Sequence, residues 1–194
     1  MVEQFPAPQL IAAILPCYTS EGDCSVILTT EGERITTGVR IRTIIRRLAS
    51  DQAIDLSSLR KIITDATHQS NLQPIPITPR LVLLPVKTRK PRVAGDISTG
   101  YINIHAITSM NSINKNLSSG TLINLSGGAK VSTIWTITTV KRHMLLARLA
   151  TAQAPTTTPK GFRRNAVFDA DDDLSPIAHK LAEVIQELLR MTVS

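Results

Sequence analysis

The sequence predicts an α+β fold in which antiparallel hairpins and short strands pack with about three helices, followed by a separate C-terminal amphipathic helix. Three observations carry this expectation. Gly-containing turns sit between β-forming runs, at Glu31-Gly32-Glu33 and Ser126-Gly127-Gly128-Ala129. Helical periodicity replaces alternation at residues 39–50 and 56–67. A Pro/Thr-rich and then acidic stretch separates the last apolar stripe from everything before it. We therefore divide the chain into a body over 1–152, a linker over 153–174 and a terminal helix over 175–194.

Residues 10–18 form a continuous apolar run bounded by Pro8 and Gly22 and read as the first strand. Residues 25–30 and 34–37 flank the first Gly turn and read as a hairpin. Ile41, Ile44, Ile45 and Leu48 then fall on one helix face, leaving Arg40, Arg42, Arg46 and Arg47 on the surface. A second helix over 56–67 turns Leu59, Ile62, Ile63 and Ala66 inward, with Ser57 or Ser58 as its N-cap.

Pro74, Pro76 and Pro79 alternate with Ile75 and Ile77, which dictates an extended segment at a sheet edge, because proline donates no ladder hydrogen bond. Residues 80–86 read as a buried strand and 87–99 as a polar loop. Over 100–107, Tyr101, Asn103 and His105 alternate with Ile102, Ile104 and Ala106, the pattern of a half-buried strand. Residues 121–125 and 130–136 make the second hairpin. Thr138 or Thr139 caps a third helix that runs to about Ala152, with Val140, Met144, Leu145, Ala147 and Leu149 inward. In the last segment Ser175 caps, Pro176 suits the first helical turn, and Ile177, Leu181, Val184, Ile185 and Leu188 form one stripe. That stripe must bury against its own core or against a second copy, and we favour self-association to a dimer or larger assembly.

Charge is segregated along the chain. Residues 1–33 hold five acids and no Lys or Arg, whereas 34–164 hold twenty bases and four acids, a net +16 against +7 for the whole protein. A basic body flanked by acidic ends favours a polyanionic partner and binding that weakens steeply with salt. Aromatic residues make up only 3%, so stacking on unpaired bases is disfavoured and duplex backbone contact fits better. The cations expected to carry it are Arg60 and Lys61 on the second helix, the acid-free loop of Lys87, Thr88, Arg89, Lys90 and Arg92, Lys130 in the second hairpin, and Lys141 and Arg142 on the third helix. Such a loop can reach phosphates or enter a narrow A·T minor groove.

Catalytic signatures are missing: there is no Walker A, G-x-G-x-x-G, H-E-x-x-H or paired C-x-x-C motif. Neither a metal nor a cofactor is expected. Four histidines, His68, His105, His143 and His179, fall in separate predicted elements. Asp96 with His105 is the one candidate hydrolytic pair, and a turn aspartate is the simpler reading. Cys17 and Cys24 flank a turn, and we read them as structural thiols rather than a bridge, given no secretory signal. With no apolar run near the ~20 residues a bilayer span needs, a cytoplasmic protein with no membrane contact is expected.

Leu83-Leu84-Pro85, then Lys87-Thr88-Arg89-Lys90-Pro91, Gly100-Tyr101-Ile102-Asn103 and the hairpin over 122–134 resemble, in that order, the ComK family of competence transcription factors. Residues 57–67 with Arg60-Lys61, followed by the extended 74–79, resemble the middle of the same family, so the resemblance covers roughly 14–150. Where that family often has a Trp after the basic loop, Tyr101 stands here, and Trp135 lies in the later hairpin. The resemblance implies an activator that binds A/T-rich duplex DNA largely through the minor groove, self-associates and is turned over through a proteolytic adaptor. By position it places that function on residues 88–91, Arg60 and the second hairpin. The alternatives are a nonspecific nucleic-acid-associated scaffold or a small hydrolase.

Overall fold

The computed structural model describes residues 5–19, 22–91, 96–115 and 118–153. These belong to one compact unit, Met1–Thr157; the second unit, Thr158–Ser194, lies outside them, as do the predicted linker and terminal helix. The fold is α+β. A six-stranded antiparallel sheet has the order β3-β2-β1-β6-β5-β4, and a three-stranded antiparallel sheet the order β7-β8-β9.

The large sheet consists of two three-stranded halves. In the first, β1 (Ile11–Thr19), β2 (Gly22–Thr29) and β3 (Arg34–Thr37) run as a meander, with the Gly32 turn where the sequence predicts it. In the second, β4 (Ile75–Thr78) pairs with β5 (Leu81–Lys87), which pairs with β6 (Thr99–Asn103). The halves meet where Ala13 faces Ile102 and Ile14 faces Tyr101. β4 is an edge strand, as the prolines require. Pro85 is tolerated inside the sheet because β4 pairs only with Leu81, Val82 and Leu83, so no ladder partner on that side is lost.

Alternation along the strands divides the core in two. Ile11, Ile14, Ile27, Ile77, Leu81 and Leu83 project to one face, where α1 (Ile41–Asp51) lays Ile41, Ile44, Ile45 and Leu48 over them. Val82, Leu84, Val86 and Ile102 project to the other, against Ile123, Leu125 and Val131 of the small sheet and Val140 and Ala147 of α3 (Ile137–Gln153). α2 (Leu56–Thr67) packs Leu59 and Ile63 against Ala150 of α3. Among the described residues no helix is long and apolar enough to cross a membrane.

Several sequence expectations need correction. The cap of α2 is Asp55, whose carboxylate accepts from the Ser58 hydroxyl at 2.6 Å and from the Ser57 and Ser58 amides at 3.1 and 3.0 Å. These donors, the hydroxyl foremost, hold its carboxyl below the usual carboxylate range. α3 starts after Thr136, which takes the Thr139 amide, so neither Thr138 nor Thr139 is the cap. Ile62 and Ala66 of α2 and Leu145 and Leu149 of α3 are exposed, the last two at 59% and 47%. The strand read over 100–107 ends at Asn103 and passes through a 3-10 turn, Ile104–Ala106, into β7 (Ile107–Lys115). β7 pairs with β8 (Ser118–Leu125), which pairs with β9 (Lys130–Thr133), shorter than the strand read to 136.

Cys17 and Cys24 are joined as a disulfide, not left as thiols. The cause is register: the two residues oppose each other directly in the β1–β2 ladder with Cα atoms 5.0 Å apart, inside the range a disulfide spans.

The two sheets are tied at points the backbone controls. The Lys87 carbonyl accepts both the Thr133 hydroxyl (2.7 Å) and the Ile134 amide (3.0 Å). Gly32 and Gly127, at φ +93° and +81°, bring their turns together so closely that a Cβ on Gly127 would lie 2.5 Å from the Gly32 nitrogen. Behind β9, Trp135 stacks on His143 of α3, with ring centroids 4.5 Å apart and planes at 20°. Burial, followed by the nearby Arg142, pulls the His143 pKa below the ordinary histidine value. The unfolded chain therefore binds the proton more readily than the fold. Stability should be full above the ordinary histidine range and fall as pH drops through it towards the lowered value. Urea midpoints taken from about pH 8 to 5.5 should show this, and His143→Phe should flatten the slope without shifting its neutral-pH end downward by more than about 1 kcal/mol.

Candidate nucleic-acid interface

The exposed surface of the two helices that follow the first meander, with the residue before them, carries six bases against the acids Asp51, Asp55 and Asp65. Arg40, Arg42, Arg46, Arg47, Arg60 and Lys61 are all exposed. α1 has no acid in its first turn and no side chain capping its N-terminus, so the helix dipole adds to the potential of Arg40 and Arg42 rather than opposing it. Arg47 also lies 5.5 Å from the centre of the Phe5 ring. Among the described residues the ion pairs within 4 Å are both made by Arg89, so these helix cations have their charge available to a ligand.

Two of these cations, Arg42 and Arg60, line a cleft of about 420 Å³ between the helices and the β5–β6 end of the large sheet, together with Lys87. Arg42 lines it from α1, Arg60 from α2, Lys87 from the end of β5 and Tyr101 from β6. Lys87 is held by donation from Nζ to the Ser98 hydroxyl at 3.1 Å. Gln73 fixes the far wall: its amide donates to the Thr64 hydroxyl at 2.6 Å and to the Gln69 carbonyl. Burial pushes the Tyr101 phenol above its ordinary pKa although Arg42 and Arg60 both pull it down, which places both guanidiniums within electrostatic reach of that hydroxyl.

The basic loop is built differently from its sequence expectation. Arg89 is folded back, its side chain only 15% exposed. Its Nη2 donates to Asp23 and Asp96 at 2.8 Å each, its Nε donates to the Ile97 carbonyl at 2.9 Å, and its guanidinium lies 3.6 Å from the Tyr18 ring centre. Tyr18 in turn donates its hydroxyl to Asp96. Arg89 is therefore a clamp between the loop and the β1–β2 hairpin rather than a cation presented to solvent. Thr88 is likewise turned to the loop, where its amide and hydroxyl donate to the Ser98 carbonyl at 3.0 and 3.4 Å. Lys90 is exposed, and Arg92 lies outside the described residues.

Of the ten residues singled out from sequence, Arg60 and Lys87 meet in the cleft. Lys61 is exposed on the same helix as Arg60, whereas Lys130 on β9 and Lys141 and Arg142 on α3 are exposed on other elements. Arg42 and Tyr101 were not among the ten; a helix-face arginine carries no sequence signal of what it faces. Asp96 and His105 are not assembled as a dyad: they stand beyond opposite ends of β6, and Asp96 is committed to Arg89 and Tyr18. Among the described residues, no three His, Cys, Asp or Glu side chains gather as metal ligands.

The fold and site thus define a two-sheet α+β protein with a cation-lined cleft beside a basic helical surface. No family model, curated protein or solved structure matches the chain.

Proposed function

We propose that this protein binds duplex DNA as a transcriptional regulator, with the exposed faces of α1 and α2 and the cleft rim supplying the phosphate contacts. The observation that carries this reading is the convergence of Arg42, Arg60 and Lys87, which come from three elements and have no carboxylate partner among the described residues. Maintaining like charges together is unfavourable without a counter-anion, and a phosphate backbone supplies one. With Arg89 withdrawn into the fold, the load shifts from the basic loop to the helices. A preference for A/T-rich sites, self-association, and turnover through an adaptor are the further expectations of a competence-type activator.

The test is anisotropy titration of A/T-rich and G/C-rich duplexes over a salt series. Affinity for the wild-type chain should fall about 10³-fold between roughly 50 and 200 mM salt if about six phosphates are contacted. Arg42→Ala with Arg60→Ala should reduce the slope of log affinity against log salt by about two and weaken binding to both duplexes. A flat salt dependence would exclude this function.

A further inference from the structure

A duplex backbone needs cations on a surface, but the cleft offers more than that. Its approximately 420 Å³ falls within the range of small-molecule sites and far exceeds the space of a single water. Its lining joins the cations Arg42, Arg60 and Lys87 with an apolar wall of Leu59, Ile75 and the Tyr101 ring. A phosphate carried in on DNA would meet the cations and leave that wall wet. A ligand with a phosphate at one end and a flat, weakly polar body at the other would use both. The hydroxyl of Thr99 and the side chain of Asn71 also line the cleft, as partners for a sugar. The single acid there, Asp96, is compensated by Arg89 and does not repel an anion as a free carboxylate would.

We propose that the cleft is a binding site for a nucleoside monophosphate, its phosphate held by Arg42, Arg60 and Lys87 and its base on Leu59, Ile75 and Tyr101. The proposal rests on reading these cations as phosphate ligands and goes beyond it by making a free nucleotide the occupant. Because Arg42 and Arg60 are shared with the DNA surface, nucleotide and duplex compete for them, so the small ligand lowers DNA affinity.

Calorimetry of the full-length chain with AMP, GMP, CMP and UMP, each beside its nucleoside and beside inorganic phosphate, tests this. At least one monophosphate should bind about tenfold or more tightly than both its nucleoside and inorganic phosphate, and should raise the melting temperature with the logarithm of its concentration above Kd. Arg42→Ala and Arg60→Ala, both at exposed positions, should each weaken that binding about tenfold with the circular dichroism unchanged. Absence of binding for all four monophosphates overturns the proposal. So does equal affinity for inorganic phosphate, which would leave an anion spot without use of the apolar wall. Duplex titrations on the same samples separate the two readings: DNA binding without nucleotide binding removes only the nucleotide, and nucleotide binding without DNA binding removes only the DNA function. If both bind but the nucleotide leaves DNA affinity unchanged, the competition is wrong and the shared-cation proposal fails with it.

Discussion

Arg89→Ala should destabilise the fold by about 3 kcal/mol, a larger effect than loss of any other cation in the basic loop. The Asp96 side chain is only 3% exposed, so removing its guanidinium partner leaves a carboxylate without its counter-charge where water does little to solvate it, although the Tyr18 hydroxyl still donates to it. The contact to Asp23, which is 41% exposed, adds little because solvent screens it. Loss of the bond to the Ile97 carbonyl and of packing on Tyr18 adds to the cost. Lys90→Ala, at an exposed neighbouring position, should stay within about 0.5 kcal/mol of wild type. Urea denaturation of both variants measures the contrast. In the double variant Arg89→Met with Asp96→Leu, part of the loss should be recovered, since the orphaned charge is gone with its partner. An Arg89→Ala protein as stable as wild type would mean that the clamp contributes nothing.

Asn103→Leu should cost as much or more, about 3 to 4 kcal/mol. Asn103 is 2% exposed and uses its whole amide: Nδ2 donates to the Ile11 and Arg80 carbonyls at 3.0 and 2.9 Å, and Oδ1 accepts the Val82 and His105 amides at 3.3 Å. A leucine of similar size fills the space but leaves these backbone groups without that partner. The urea midpoint should fall at constant denaturant slope, and the Val82 amide should lose hydrogen-exchange protection more than amides of α1. A loss under about 1 kcal/mol would show that water or the backbone replaces the amide.

Much of the fold was legible because it depends on local pattern. Ile41, Ile44, Ile45 and Leu48 show a helical face whatever they pack on, and the run of Pro74, Pro76 and Pro79, each without a ladder donor, suits an edge. β7 was missed because Ile107, Met110 and Ile113 recur every third residue rather than every second, and the strand pairs on one side only, with β8. Asp55 and Thr136 were passed over as caps because each stands two or three residues before hydroxyl-bearing candidates, and only backbone geometry chooses among them. At the site, charge density pointed to Arg60 and Lys87 but not to their meeting place. The same density misread Arg89, whose partners Asp96 and Asp23 lie 7 and 66 positions away along the chain and are brought to it only by the fold. The cysteine pair failed for the same reason in miniature: strand register, not spacing, decides whether two thiols face each other.

The seam in the large sheet has a consequence for how the chain folds. Each three-stranded half closes through local connections, but the halves join through two residue pairs, the Asn103 bond to Ile11 and the contacts of Arg89 and Asp96 with Asp23 and Tyr18, whose residues are 66 to 92 positions apart. Closing so long a loop costs entropy before many contacts repay it, so each meander has a head start and their union is the slow, non-local event. Because the union limits the rate, the seam is being made at the barrier, and Asn103→Leu should slow folding more than a substitution within either meander, as stopped-flow refolding would show.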